Sequence, residues 1–163
     1  MIDLTKMEAY PEVIKWHESQ HGSDYDRWQR CPRGDWLLWL AGRAGVDRRS
    51  MVLAACAIAR EVLHLVPADE PRPLYAIEAA EAWARGEVTL AQVGSAAAAR
   101  ARAAADWAPE AAEAASEAIG AAVNASEADA AREAFLEEGA RIVREIISWE
   151  AVRDGLEHKG YLR

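Results

Sequence analysis

Five successive apolar positions, Trp36-Leu37-Leu38-Trp39-Leu40, interrupt a chain whose other apolar residues recur at three- and four-residue steps. A helix built on this run, from Gly34 to Ala44, has no polar face. It therefore reads as the central helix of the fold, enclosed by the others and too short to cross a bilayer. Asp35 stands at the expected N-cap, with Pro32 and Gly34 keeping the preceding chain out of the helix, and Gly42 and Gly45 close it.

The pattern on either side predicts more helices. Pro11 near a first helical position opens one that Gly22 ends, and a short amphipathic piece runs from Asp24 to Arg30. Asp47 caps a helix from Arg48 to Val66, stopped by Pro67, whose stripe is Val52, Ala55, Cys56, Ala59, Leu63 and Val66. Residues 67–73, PADEPRP, form a rigid turn before a helix from about Leu74 to Arg85, with Gly86 beyond its end. Thr89 to Gln92 is a capping box with Val88 and Val93 as its staple, and Ser126 to Asp129 is a second capping signature. From there one long helix is predicted to Arg153, ended by Gly155, with Phe135, Gly139, Ile142, Ile146 and Trp149 as its seam and Leu136, Val143 and Ile147 flanking it. Gly139 in that seam costs roughly 1 kcal/mol against Ala, which close approach of another helix would justify.

Composition agrees with the periodicity. Of 163 residues 52% are apolar, much of this alanine, and eight alanines fall among the ten residues 96–105. Alanine is the best helix former, so the expected fold is all-α: a compact, Ala-rich bundle of six to eight helices, with a central Trp/Leu helix and a long C-terminal one. The expected organisation is a single helical domain over 1–163, with 1–30 as an N-terminal helical extension and 31–157 as the main bundle. Trp36, Leu37, Trp39, Leu40, Val52, Leu63, Ile77, Trp83, Phe135, Ile142, Ile146 and Trp149 are its expected core. No apolar run approaches ~20 residues and the N-terminus has no signal-like pattern, so a soluble, cytoplasmic protein with free thiols at Cys31 and Cys56 is expected.

The net charge of −8 is uneven: residues 1–105 carry 13 Lys/Arg against 14 Asp/Glu, and residues 106–157 carry 4 against 13. Such a balance argues against nucleic-acid binding, which needs clustered cations. A basic protein partner would be attracted instead. Asp106, Glu110, Glu113 and Glu117 fall at steps of four, three and four, so a helix through them aligns four carboxylates, although Pro109 would kink it or begin it anew. Arg49, Arg60 and His64 share a face of their own helix, a solvated stripe or an acceptor for a partner's carboxylates.

One catalytic pattern needs weighing. His17-Glu18-Ser19-Gln20-His21 fits H-E-x-x-H, in which two His one helical turn apart bind zinc and the Glu is general base. A third ligand ten residues after the first His is missing, since that position is Arg27, and Gly22 breaks the helix directly after the motif. Coincidence is the preferred reading, with no cofactor, and a zinc metallopeptidase is the minor alternative. Phosphate-cradling glycine loops, nucleophile elbows and paired-cysteine zinc sites are absent from the sequence.

Three stretches together resemble a known family. They are C-P-R-G-D-W-L-L-W-L-A-G (Cys31 to Gly42), V-L-A-A-C-A-I-A-R (Val52 to Arg60) and R-P-L-Y-A-I-E-A-A-E-A-W-A-R-G-E (Arg72 to Glu87), leading into the alanine tract. Over roughly residues 28–150 the chain resembles the bacterial and phage all-helical immunity proteins of polymorphic toxin systems. The resemblance implies a helical bundle without catalytic activity that binds and neutralises a cognate toxin. Were the toxin basic, for example a nuclease, Asp106, Glu110, Glu113 and Glu117 would occupy the place of its substrate's phosphates. The competing class is a helical scaffold whose long C-terminal helix self-associates.

Overall fold

The computed structural model describes residues 1–66, 72–88 and 129–163. Among them are seven α-helices: α1 Pro11–Ser19, α2 Asp24–Arg30, α3 Gly34–Ala44, α4 Arg48–Glu61, α5 Arg72–Arg85, α6 Asp129–Ile146 and α7 Trp149–His158, with a 3-10 turn at Leu63–Leu65. The fold is all-α. Among the described residues no helix is long and apolar enough to cross a membrane. Both capping signatures, at Thr89 and Ser126, and the prolines Pro67 and Pro71 lie outside the described residues.

The chain divides into two compact units, one of residues 1–47 with 133–163, the other of residues 48–132. In the first, α3 buries one face, Leu37, Ala41 and Ala44, spaced by four and three residues. Trp36, Leu38, Trp39 and Leu40 are only half-buried. The helix is thus two-sided, not enclosed all round, because small residues let its neighbours come close on the inner face. A Cβ on Gly34 would lie 2.5 Å from the carbonyl carbon of Gly139, and one on Gly155 would lie 2.3 Å from the carbonyl oxygen of Ala44. The start of α3 thus comes close to the α6 backbone at Gly139, and it is Gly34 that leaves the room for it.

Several boundaries differ from expectation for identifiable reasons. Asp35 does not cap α3: its carboxylate is held by the Arg33 fork at 2.9 and 2.6 Å, and Arg33 itself is the capping residue, without a side-chain bond. Gly42 lies inside α3, and Gly45 ends it in the left-handed region at φ 84°, donating to the carbonyls of Ala41 and Gly42. The predicted 48–66 helix stops at Glu61 and tightens into the 3-10 turn. The long C-terminal helix is broken at Ile147-Ser148, where Ser148 caps α7 by accepting from the Ala151 N–H at 3.2 Å. Gly155 is therefore interior to α7. Ser148→Ala should lower stability by about 1 kcal/mol, read by urea denaturation, as loss of an N-cap acceptor does.

The inner seam of α6 is also rotated from the expected one. Val143 and Ile147 are fully buried with Ile142, while Phe135, Ile146 and Trp149 are half-buried. Val152 and Leu156 of α7 and Met7 of the N-terminal turn complete this core. In the second unit Val52, Cys56 and Ala59 of α4 pack on Ile77, Ala80 and Ala84 of α5, with Leu63 and Trp83 at the margin.

Cations from later elements satisfy the carbonyls that the first three helices leave open at their C-termini. Arg27 donates to the carbonyls of His17 and Gln20 at 3.2 and 3.0 Å, Arg144 to that of Cys31 at 2.9 Å, and Lys159 to that of Arg43 at 2.9 Å. Burial draws the Arg144 guanidinium below its ordinary pKa. An isolated antiparallel bridge joins Ile2 to Leu162, and Arg163 pairs with Asp3, so the two segments of this unit are tied at their ends.

Candidate functional site

The half-buried side of α3 faces α1 and makes an aromatic cleft in the first unit. Pro11 starts α1 and so fixes where its side chains point: Val13 inward, Trp16 and His17 toward the cleft. Trp16 meets Trp36 edge-on with ring centroids 6.0 Å apart, and Tyr10 meets Trp39 at 6.3 Å. Leu37 and Leu40 of α3, with Ile2 and Leu4, complete the walls of a space of ≈ 420 Å³ that includes its open mouth. At the rim the Arg33 guanidinium lies over the Trp36 ring, 4.6 Å from its centroid, while Asp35 grips its edge. That ion pair and the nearby Glu12 raise the Arg33 pKa.

A polar cluster closes the inner end. Asp24 at the start of α2 lies 3.3 Å from His17 Nε2 and 3.4 Å from Arg27 Nη1, with the Met1 amino group at 3.4 Å. Burial pushes the Asp24 carboxyl up, but the hydrogen bond from His17 and the charge of the amino group outweigh it and hold the pKa below the ordinary value.

This arrangement settles the geometry of the H-E-x-x-H segment. The helix ends at Ser19, so His21 falls in the following turn, where its carbonyl accepts from Arg30, and His17 turns inward to Asp24. The two imidazoles do not share one helical turn, and Glu18 is exposed. Among the described residues no three His, Cys, Asp or Glu side chains are placed to hold a metal ion. Burial pushes both thiols, Cys31 and Cys56, up to about 11, so each behaves as a small core residue.

The predicted basic face lies on the second unit. Arg60 is engaged within it, donating from Nε and Nη2 to Glu81 at 2.6 and 2.8 Å, and Arg85 joins the same carboxylate at 3.5 Å. Arg49 is exposed and reaches the C-terminal end of α5, 3.7 Å from where a Cβ on Gly86 would sit; His64 is exposed in the 3-10 turn. Of the three, Arg60 is thus engaged by an internal ion pair, and Arg49 and His64 are exposed. Asp106, Glu110, Glu113 and Glu117 lie outside the described residues. The sequence did not point to Tyr10, Trp16 and Arg33 as a group. Their signal was faint: two residues flanking helix starts and one inside α1, joined only when α1 meets α3.

No curated protein and no solved structure matches this chain. Residues 44–134 match the model of a family described as "Imm-5 like putative immunity protein". The matched span follows the second unit closely, so the D-W-L-L-W-L run and the aromatic cleft lie outside it, a narrower reach than residues 28–150. It nevertheless covers more than half of the chain, which therefore belongs to the Imm-5-like immunity protein family.

Proposed function

We propose that this protein neutralises a cognate toxin by binding it, without chemistry of its own. Family membership over residues 44–134 is the observation that carries this reading. The charge distribution supports a basic partner: residues 106–157, with 13 acids against 4 bases, are more negative than the chain's whole net charge of −8. Carboxylates arrayed there would attract a cationic active site, such as that of a nuclease, and occupy its phosphate positions. Asp106, Glu110, Glu113 and Glu117 are the residues proposed for that contact.

Co-expression with the product of the adjacent reading frame tests the proposal. Growth arrest by the neighbour alone, relieved by this chain, is the expected result; a neighbour that stays lethal despite soluble expression of this chain would sink it. Charge reversal at Glu113 and Glu117 should weaken binding by about tenfold at low salt and flatten its salt dependence. Unchanged affinity and salt dependence would place the contact elsewhere. The competing reading is a helical scaffold that self-associates through its C-terminal helix, which light scattering showing a stable oligomer would favour.

A further inference from the structure

The second unit follows the family match, whereas the first, almost wholly outside it, holds Trp16, Trp28, Trp36, Trp39 and Trp149, five of the chain's seven tryptophans. Large rings in half-buried positions are what protein contact surfaces use as anchors, because they bring area at little entropic cost. One edge of the cleft combines such rings with acids. Tyr10 is 60% exposed against Trp39, Glu12 stands two residues along and acts on Arg33, and Asp35 is exposed beside Trp36. Lys15 is the opposing charge on the same helix.

This edge already displays the ligand chemistry it suits. Arg33 sits over the Trp36 ring with its nitrogens on Asp35 and Glu12 within electrostatic reach, which is how a guanidinium is recognised by a ring face and a carboxylate together. We propose that the strip of Tyr10, Glu12, Asp35, Trp36 and Trp39 is a docking surface for an arginine-bearing segment of the protein partner, with Arg33 holding the Trp36 position until that segment arrives. The proposal rests on the reading that the chain acts by binding a basic protein. It gives the first unit the task of telling one partner from another, while the second carries what the family shares.

Binding of three synthetic hexapeptides, alternating glycine with arginine, lysine or glutamate, followed by tryptophan fluorescence and calorimetry, tests it directly. The arginine peptide should bind best, lysine more weakly, since it lacks the planar fork, and glutamate not at all. Arg33→Ala, which uncovers the ring, should tighten arginine-peptide binding by about threefold, the scale of one exposed ring–cation contact. Glu12→Gln and Tyr10→Ser, both at exposed positions, should weaken it by a similar factor while leaving the helical circular dichroism unchanged. Equal binding of the arginine and lysine peptides, no binding of either, or no response to Glu12→Gln and Tyr10→Ser would overturn the proposal. Growth rescue by the intact chain is read separately, so rescue with no peptide binding removes this surface alone, and peptide binding with no rescue leaves the surface without its immunity role.

Discussion

Gly155→Ala should destabilise the protein by at least about 3 kcal/mol, the upper end of what overpacking costs. In an exposed helix the same change would gain about 1 kcal/mol from propensity. Here the added carbon would meet the Ala44 carbonyl oxygen at 2.3 Å and its carbon at 2.9 Å, and both atoms are backbone of α3. A flexible side chain could swing aside; a helix backbone cannot. The relief available is to part α7 from α3, which would unpack Leu156 and Val152, both fully buried. Gly34→Ala, facing the backbone of Gly139 and Ala140, should behave alike. Gly86→Ala makes a useful contrast. Its Cβ would have room, with Arg49 at 3.7 Å, and only the φ of 76° opposes it, so about 1 kcal/mol is expected. Urea denaturation of the three variants separates steric from conformational cost. A Gly155→Ala protein as stable as the parent would mean that α7 and α3 do not cross this closely.

Asp24→Asn should cost about 2 kcal/mol, less than the 3–5 expected for fully buried pairs because the partners retain some solvent. The carboxylate sits 11% exposed among His17 at 11% and Arg27 at 12%, and its removal leaves that guanidinium with only carbonyl acceptors. The pH dependence follows from the sign of the shift. A carboxyl whose folded pKa is depressed binds its proton more readily when unfolded, so its contribution is fully present above the ordinary value near 3.8 and is lost as pH falls through the lower folded value. The stability gap between parent and Asp24→Asn should therefore close as pH falls below the ordinary carboxylate value near 3.8. A gap that persists undiminished in strong acid would show that the carboxylate is not stabilised by these partners.

Much of the helical layout was legible because helix starts and stops are written in local chemistry. Pro11 opens α1, Asp24 to Arg30 is α2, Arg48 begins α4, and Gly45 and Gly86 end α3 and α5 in left-handed conformations. What local chemistry cannot express is which partner arrives. The Ser148 break was hidden because the apolar spacing of Ile142, Ile146 and Trp149 runs through it unchanged, and only a lone serine marks the cap. Asp35 looked like a cap until Arg33, two residues away, claimed its oxygens. The all-apolar run in α3 read as wholly enclosed, yet its inner face is made by Leu37 and two alanines while the tryptophans turn outward to α1. The His17–Asp24 pair, seven residues apart across a turn, likewise depends on how α1 and α2 meet.

The division of the first unit into residues 1–47 and 133–163 sets an order of events during synthesis. Helices α1 to α3 leave the ribosome first, yet the groups that cap and cover them arrive last: Arg144 for the carbonyl of Cys31, Lys159 for that of Arg43, and Gly139 and Gly155 for the bare faces of Gly34 and Ala44. Until then Leu37 and Ala41 have no cover from α6 or α7, and the aromatic rings beside them stay open to other nascent chains. The second unit is one continuous run, so all of its residues precede the last segment of the first. A chain released before residue 133 would thus carry nearly all of the family-matched span and still lack the cover of α3, which makes residues 133–163 the protein's own chaperone for residues 1–47.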